Sequence, residues 1–146
     1  MPDINEELNF LKARGYEIGE SFVSPEGKMH TWVANRACTS EHVAMLVALE
    51  NMKSEVTRSD SPALRELAKL CRKAAAGSET TPEVAAKARA LETEWQLLVQ
   101  RGTPPPPSLK EKKALDAEGE ALAGRMVAFL TLELPNISVL TIAQAG

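Results

Sequence analysis

Between residues 16 and 34 the spacing of apolar side chains changes period, and this limits the fold more than any other feature of the chain. Ile18, Glu20 and Phe22 alternate with Gly19, Ser21 and Val23. Ser24-Pro25-Glu26-Gly27 follows. Pro25 presets φ for a type I turn and Gly27 can take φ > 0, so the four residues read as a hairpin connection. Met29, Thr31 and Val33 then alternate with His30, Trp32 and Ala34. The pattern predicts strands over about 16–23 and 28–34. Two strands alone are marginal in water, so the hairpin must lie on helices or gain a third strand.

The rest of the chain supplies those helices. Asp3 and Glu6 have capping-box spacing, Ile4, Leu8 and Leu11 follow on one face, and Gly15 is a left-handed stop. A first helix is expected over 4–14. Asn35 and Arg36 start a loop. Thr39 or Ser40 can cap the next helix, with Glu41 in its first turn. The run from Val43 to Leu49 is apolar almost all round, as in a central buried helix. It is expected to end near Arg58, where Ser59-Asp60-Ser61-Pro62 breaks the pattern and Pro62 opens the following helix. That helix carries the stripe Leu64, Leu67, Ala68, Cys71 and Ala75, and Gly77 stops it.

Thr80 and Glu83 form a second capping box. Val84, Ala88, Leu91, Trp95 and Leu98 step by four and three residues, a seam barely two heptads long. A sustained coiled coil needs about three or four heptads, so bundle packing is expected instead. Pro104 to Pro107 are four consecutive prolines. They cannot donate ladder or helix hydrogen bonds and read as a semi-rigid spacer. The run also has the PxxP spacing of a groove-docking peptide, although a linker is its commoner meaning.

Ser108 and Glu111 cap a last helix. Leu115, Leu122, Met126 and Phe129 continue its stripe toward Leu134, and Ala117, Ala121 and Gly124 suggest a face that another helix approaches closely. Residues 137–142 read as a strand that can extend the hairpin. A hairpin of 126–134 with 137–142 around Pro135-Asn136 is the alternative. The expected fold is therefore α+β and mostly helical: a bundle of about five helices with an N-terminal β-hairpin. Its organisation divides into 1–102 (helix, hairpin and three-helix core), 103–108 (proline-rich linker) and 109–146 (C-terminal helix and strand on the same core).

Composition narrows function by exclusion. Aromatics are 4% of the 146 residues, so the core must be aliphatic. Net charge is −3, and it is uneven. Residues 1–60 carry 6 basic and 10 acidic side chains, while 61–103 carry 7 basic and 5 acidic. A whole-protein nucleic-acid footprint is absent, although a basic face in the middle third is available. The chain opens on Met-Pro-Asp with no basic stretch before an apolar one, so no signal peptide is expected. No apolar run reaches membrane-spanning length. A cytoplasmic protein with two free thiols is the simplest expectation.

Five groups of residues are chemical candidates. His30, Cys38, His42 and Cys71 have the composition of a tetrahedral zinc site, but there is no C-x-x-C half-site and Cys71 lies on an apolar stripe. No metal or cofactor is therefore expected. Cys38 precedes a helix N-terminus, where the dipole lowers a thiol pKa, and His30 or His42 could serve as its base. The plainer reading packs Cys38 under the hairpin.

Arg65, Lys69 and Arg72 share one helix face at i, i+4, i+7, with Lys73 beside them. Such a face can bind phosphates, and it is also the ordinary solvated side of an amphipathic helix. The proline run is the fourth candidate. The fifth is the hairpin with Tyr16, Phe22, His30 and Trp32. If Trp32 points outward, the hairpin is a contact surface; if it points inward, Trp32 is core.

Glycine-rich phosphate loops and hydrolase signatures are missing. The first expectation is thus a non-catalytic protein-interaction module, an adaptor, inhibitor or regulator. Its partner is another protein or a second copy of itself, and Trp32, His30, Tyr16 and Trp95 are its expected contacts. Nucleic-acid binding through Arg65, Lys69, Arg72 and Lys73 comes second, and a small Cys38 enzyme third. No membrane partner is expected.

Overall fold

Turn and capping chemistry sets most of the element boundaries. In this computed structural model, residues 4–76 and 81–133 are described. Helix α1 spans Ile4–Ala13. It ends in a Schellman motif: the Tyr16 N–H donates to the Leu11 carbonyl at 3.1 Å and the Gly15 N–H to Lys12 at 3.0 Å. Gly15 sits at φ +94°, which its missing side chain permits. The Asp3 cap lies outside the described residues.

The hairpin forms where the period changes. Strand β1 is Ile18–Val23 and β2 is Met29–Val33, antiparallel to it. In the connection, the Gly27 N–H donates to the Ser24 carbonyl at 2.8 Å, and Gly27 takes φ +82°. The third strand has a different origin from the one expected. Arg36–Cys38, read above as the start of a loop, forms β3 on the other side of β2, giving the order β1-β2-β3. Ala34 and Asn35 make the turn at φ 50° and 65°, the two positive values of a type I′ hairpin loop. A three-residue strand leaves too little alternation to read. The strand expected at 137–142 lies outside the described residues.

Helices α2 (Ser40–Glu55), α3 (Pro62–Ala76), α4 (Pro82–Arg101) and α5 (Leu109–Ala128) follow, and a π-helical turn, Phe129–Glu133, continues α5. Residues 126–133 are thus helical, as in the favoured reading. The fold is α+β and mostly helical, with an N-terminal sheet.

Three helices open on a side-chain cap. Thr39 accepts from His42 N–H, Thr81 from Val84 N–H and Ser108 from Glu111 N–H, each at 3.2 Å. Thr81, rather than Thr80, caps α4, because Pro82 occupies its first position. Helix α2 stops at Glu55 instead of near Arg58. Ser61 Oγ accepts the N–H groups of Thr57 and Arg58 in the connection to α3.

Two apolar clusters result. Leu11, Val33, Cys38, Val43 and Leu46 join α1 and the sheet to α2. A larger cluster joins α2 to α5, from Leu49 through Leu67 and Leu91 to Met126 and Phe129. Helix α2 therefore touches α1, β2, β3, α3 and α5, which explains why its sequence is apolar on nearly every side.

The seam on α4 is spent inside the bundle. Ala88, Leu91 and Leu98 are buried, with Val84 and Trp95 packed on the same cluster. The small-residue face on α5 is not where Ala117 and Ala121 suggest, for both are exposed. Gly119 makes the close approach, to the backbone of Arg58 and Ser59. Among the described residues, no helix is long and apolar enough to cross a membrane.

Candidate partner-binding surface

Parity along β2 decides which side chains meet solvent. Thr31 and Val33 are each 1% exposed and face the helices. Trp32 lies between them in sequence, so it points the other way and is 45% exposed. Phe22 on β1 is opposite His30 on β2. The Phe22 and His30 rings stack with centroids 5.4 Å apart at 15°, and Phe22 meets Trp32 at 5.6 Å and 34°. His30 Nδ1 lies 3.2 Å from the Lys28 carbonyl oxygen. Three aromatic rings thus line the outer sheet face.

A bulge makes this arrangement possible. Ile18 pairs with Val33 and Ser21 with Thr31, so Gly19 and Glu20 together oppose the single residue Trp32. Gly19 leaves room for the indole, since a Cβ there would stand 2.9 Å from Trp32 Cβ. On the inner face, Ser21 Oγ and Thr31 Oγ1 share a hydrogen bond of 2.8 Å. Beyond Phe22 the hairpin tip adds Val23 and Met29, both exposed.

The other hairpin aromatic and Trp95 lie elsewhere. Tyr16 is half-buried, and its hydroxyl interacts with Thr131 and Glu50. Burial pushes its pKa up to about 12, with Thr131 opposing the shift and the Glu50 carboxylate adding to it. Trp95 packs on the helical cluster. The structure therefore brings Phe22, His30 and Trp32 of the hairpin candidate together and separates Tyr16 and Trp95 from them. The signal for Phe22 was the glycine inside a strand, which marks a bulge and shifts the pairing register.

Tyr16 instead borders a cavity of about 500 Å³ lined by Arg14, Asn35, Glu50, Lys53 and Thr131 among others. Three of its charged groups, Arg14, Glu50 and Lys53, have partners within the chain. Lys53 Nζ meets Glu50 Oε1 at 3.1 Å. Arg14 donates to the Phe10 carbonyl at 3.1 Å, and its guanidinium lies 3.4 Å from the Phe10 ring centroid. The buried Glu50 was not singled out from sequence, because nothing local distinguishes it from a solvated helix carboxylate.

The thiol candidates are enclosed. Cys38 pairs with Thr31 on the inner side and is 2% exposed, while His30 is on the outer face. Cys71 is fully buried, and burial pushes its thiol up to about 12. His42 is buried too. Both ring nitrogens lack a hydrogen-bond partner among the described residues. Burial, then the Arg36 charge, lowers its pKa to about 4. No group of three or more His, Cys, Asp or Glu among the described residues could hold a metal ion.

On α3, Arg65, Lys69 and Arg72 are exposed and Lys73 is half-buried. Acids answer two of these cations: Glu66 lies 3.4 Å from Lys69, and Glu92 of α4 pairs with Arg72. This pairing lowers the positive potential that the sequence pattern suggested.

Comparison with known protein families, with curated proteins and with solved structures finds no match to this chain.

Proposed function

We propose that the chain is a non-catalytic protein-binding module whose outer sheet face, built from Phe22, His30 and Trp32, docks another protein. The observation that carries this reading is the exposed aromatic stack. Aromatic side chains anchor interfaces because they remove much apolar area from water at little cost in side-chain entropy. Here they are presented on a paired sheet, so their geometry is held before a partner arrives.

The competing chemistries have less support. A nucleophilic thiol needs access and a depressed pKa, yet Cys38 and Cys71 are both buried. A phosphate-binding face needs free cations, and Lys69 and Arg72 already hold carboxylates.

The test compares two baits, the wild-type chain and the Phe22→Ala/Trp32→Ala double variant. The proposal expects a defined partner retained by the wild type and lost with the variant, while helical circular dichroism is unchanged. Equal retention by both baits overturns it.

A further inference from the structure

The aromatic face carries its own charge pattern. The hairpin carries two carboxylates, Glu20 and Glu26, against one ammonium, Lys28. All three side chains are exposed. Neither acid has an ion pair among the described residues, although the charges of His30 and Lys28 act on Glu26.

Several charges on the helices, by contrast, are paired. Arg101 and Glu118 pair at 2.6 Å, Arg125 and Glu94 at 2.8 Å, and Lys112 and Asp116 at 3.2 Å. Arg72 pairs with Glu92 as well. The bundle thus satisfies these charges internally, while Glu20 and Glu26 are exposed without an ion pair among the described residues. The Glu26 carboxylate accepts hydrogen bonds from its own backbone N–H and from Ser24, which hold its pKa down.

We infer that the partner segment docking on this face is cationic, a protein segment placing Lys or Arg beside an apolar residue. This rests on the protein-binding reading above and specifies the partner's chemistry. Two observations support it. Glu20 lies opposite Trp32 in the bulge, which sets an acidic residue beside the tryptophan's place on the sheet. Glu26 stands in the turn just past the Phe22–His30 stack. A guanidinium or ammonium can lie over the indole face and meet either carboxylate, combining a cation–π contact with a charge-assisted hydrogen bond. An anionic partner, including a nucleic-acid backbone, meets unpaired negative charge here and is disfavoured.

The test uses the full chain and random twelve-residue peptides displayed on phage, with Trp32→Ala protein for counter-selection. The inference expects selected peptides enriched in Arg or Lys next to an apolar residue. A synthetic peptide from that set should bind more weakly as salt rises, because exposed charge pairs are screened. The Glu20→Gln/Glu26→Gln variant, with Trp32 intact, should weaken it about three- to tenfold.

Trp32-dependent peptides without basic enrichment, or binding that ignores the Glu20→Gln/Glu26→Gln change, overturn the inference and leave the protein-binding reading standing. If no peptide binding depends on Trp32, both fall. A wild-type dimer at micromolar concentration that Trp32→Ala makes monomeric shows a second copy on the face, which also overturns the cationic-segment inference.

Discussion

The backbone of Gly19 passes directly beneath Trp32: a Cβ at residue 19 would lie 2.9 Å from Trp32 Cβ and 3.6 Å from Cγ. The bulge and the outward tryptophan therefore depend on one another. Gly19→Ala must shift the strand or the indole. The expected cost is about 1–3 kcal/mol, as for other overpacked contacts. Urea unfolding measures it. A Trp95→Phe background isolates the Trp32 emission, which should change in wavelength with Gly19→Ala.

His42 makes the fold sensitive to acid. Its folded pKa, about 4, lies below the ordinary 6.5. Protonation therefore favours the unfolded chain. The stabilising contribution is complete above about pH 6.5 and is lost as pH falls toward 4. Up to ~3 kcal/mol is at stake over that window. The third position of α2 adds to the effect, since a cation at a helix N-terminus opposes the dipole. His42→Leu keeps the Thr39 cap, which uses only the backbone N–H of residue 42. The variant should gain about 1 kcal/mol at pH 7 by removing two buried nitrogens that have no hydrogen-bond partner among the described residues. Its unfolding midpoint should also vary less between pH 6.5 and 4.

Two glycines of α5 should respond in opposite directions to alanine. At Gly119 a Cβ would stand 2.9 Å from Ser59 Cα and 3.3 Å from the Arg58 carbonyl oxygen. These are backbone atoms, and Ser59 N–H is tied to Asp116 Oδ1 at 2.9 Å, so they cannot move aside cheaply. Gly119→Ala should cost about 2 kcal/mol. At Gly124 a Cβ meets nothing within 4 Å. Gly124→Ala should gain about 0.5–1 kcal/mol, the usual helix-interior difference. Thermal melts of the two single variants check both signs.

The β2–β3 turn holds avoidable strain. Ala34 sits at φ 50° and Asn35 at 65°. Asn tolerates this region, while the Cβ of alanine is crowded there. The Ala34 N–H also donates to the Glu17 carbonyl at 2.8 Å, which fixes the turn against β1. Ala34→Gly keeps that hydrogen bond and should raise stability by about 1 kcal/mol. Chemical denaturation reads the change, and loss of stability would show that the Ala34 Cβ contributes packing larger than the strain.

What the sequence determined by itself is local. Helix starts at Thr39 and Ser108, the glycine turns at Gly15 and Gly27, and the change to strand period at Ile18 all rest on interactions within about five residues. Those interactions form in much the same way wherever the segment sits. The side of the sheet that meets the helices is different, because it depends on contacts distant in sequence. Alternation separates Trp32 from Thr31, and only the packing of Val33 and Cys38 with Leu11 and Leu46 sets Trp32 facing out. The bulge at Gly19 moved the register by one residue and brought Phe22 into the stack, a change that plain alternation conceals. Arg36–Cys38 became a strand because β2 had a free edge beside it, not because three residues carry a pattern. Tertiary structure likewise enclosed His42 and Glu50 and paired Arg72 with Glu92. Burial and ion pairing are properties of neighbours, and the chain supplies those neighbours only after it has folded.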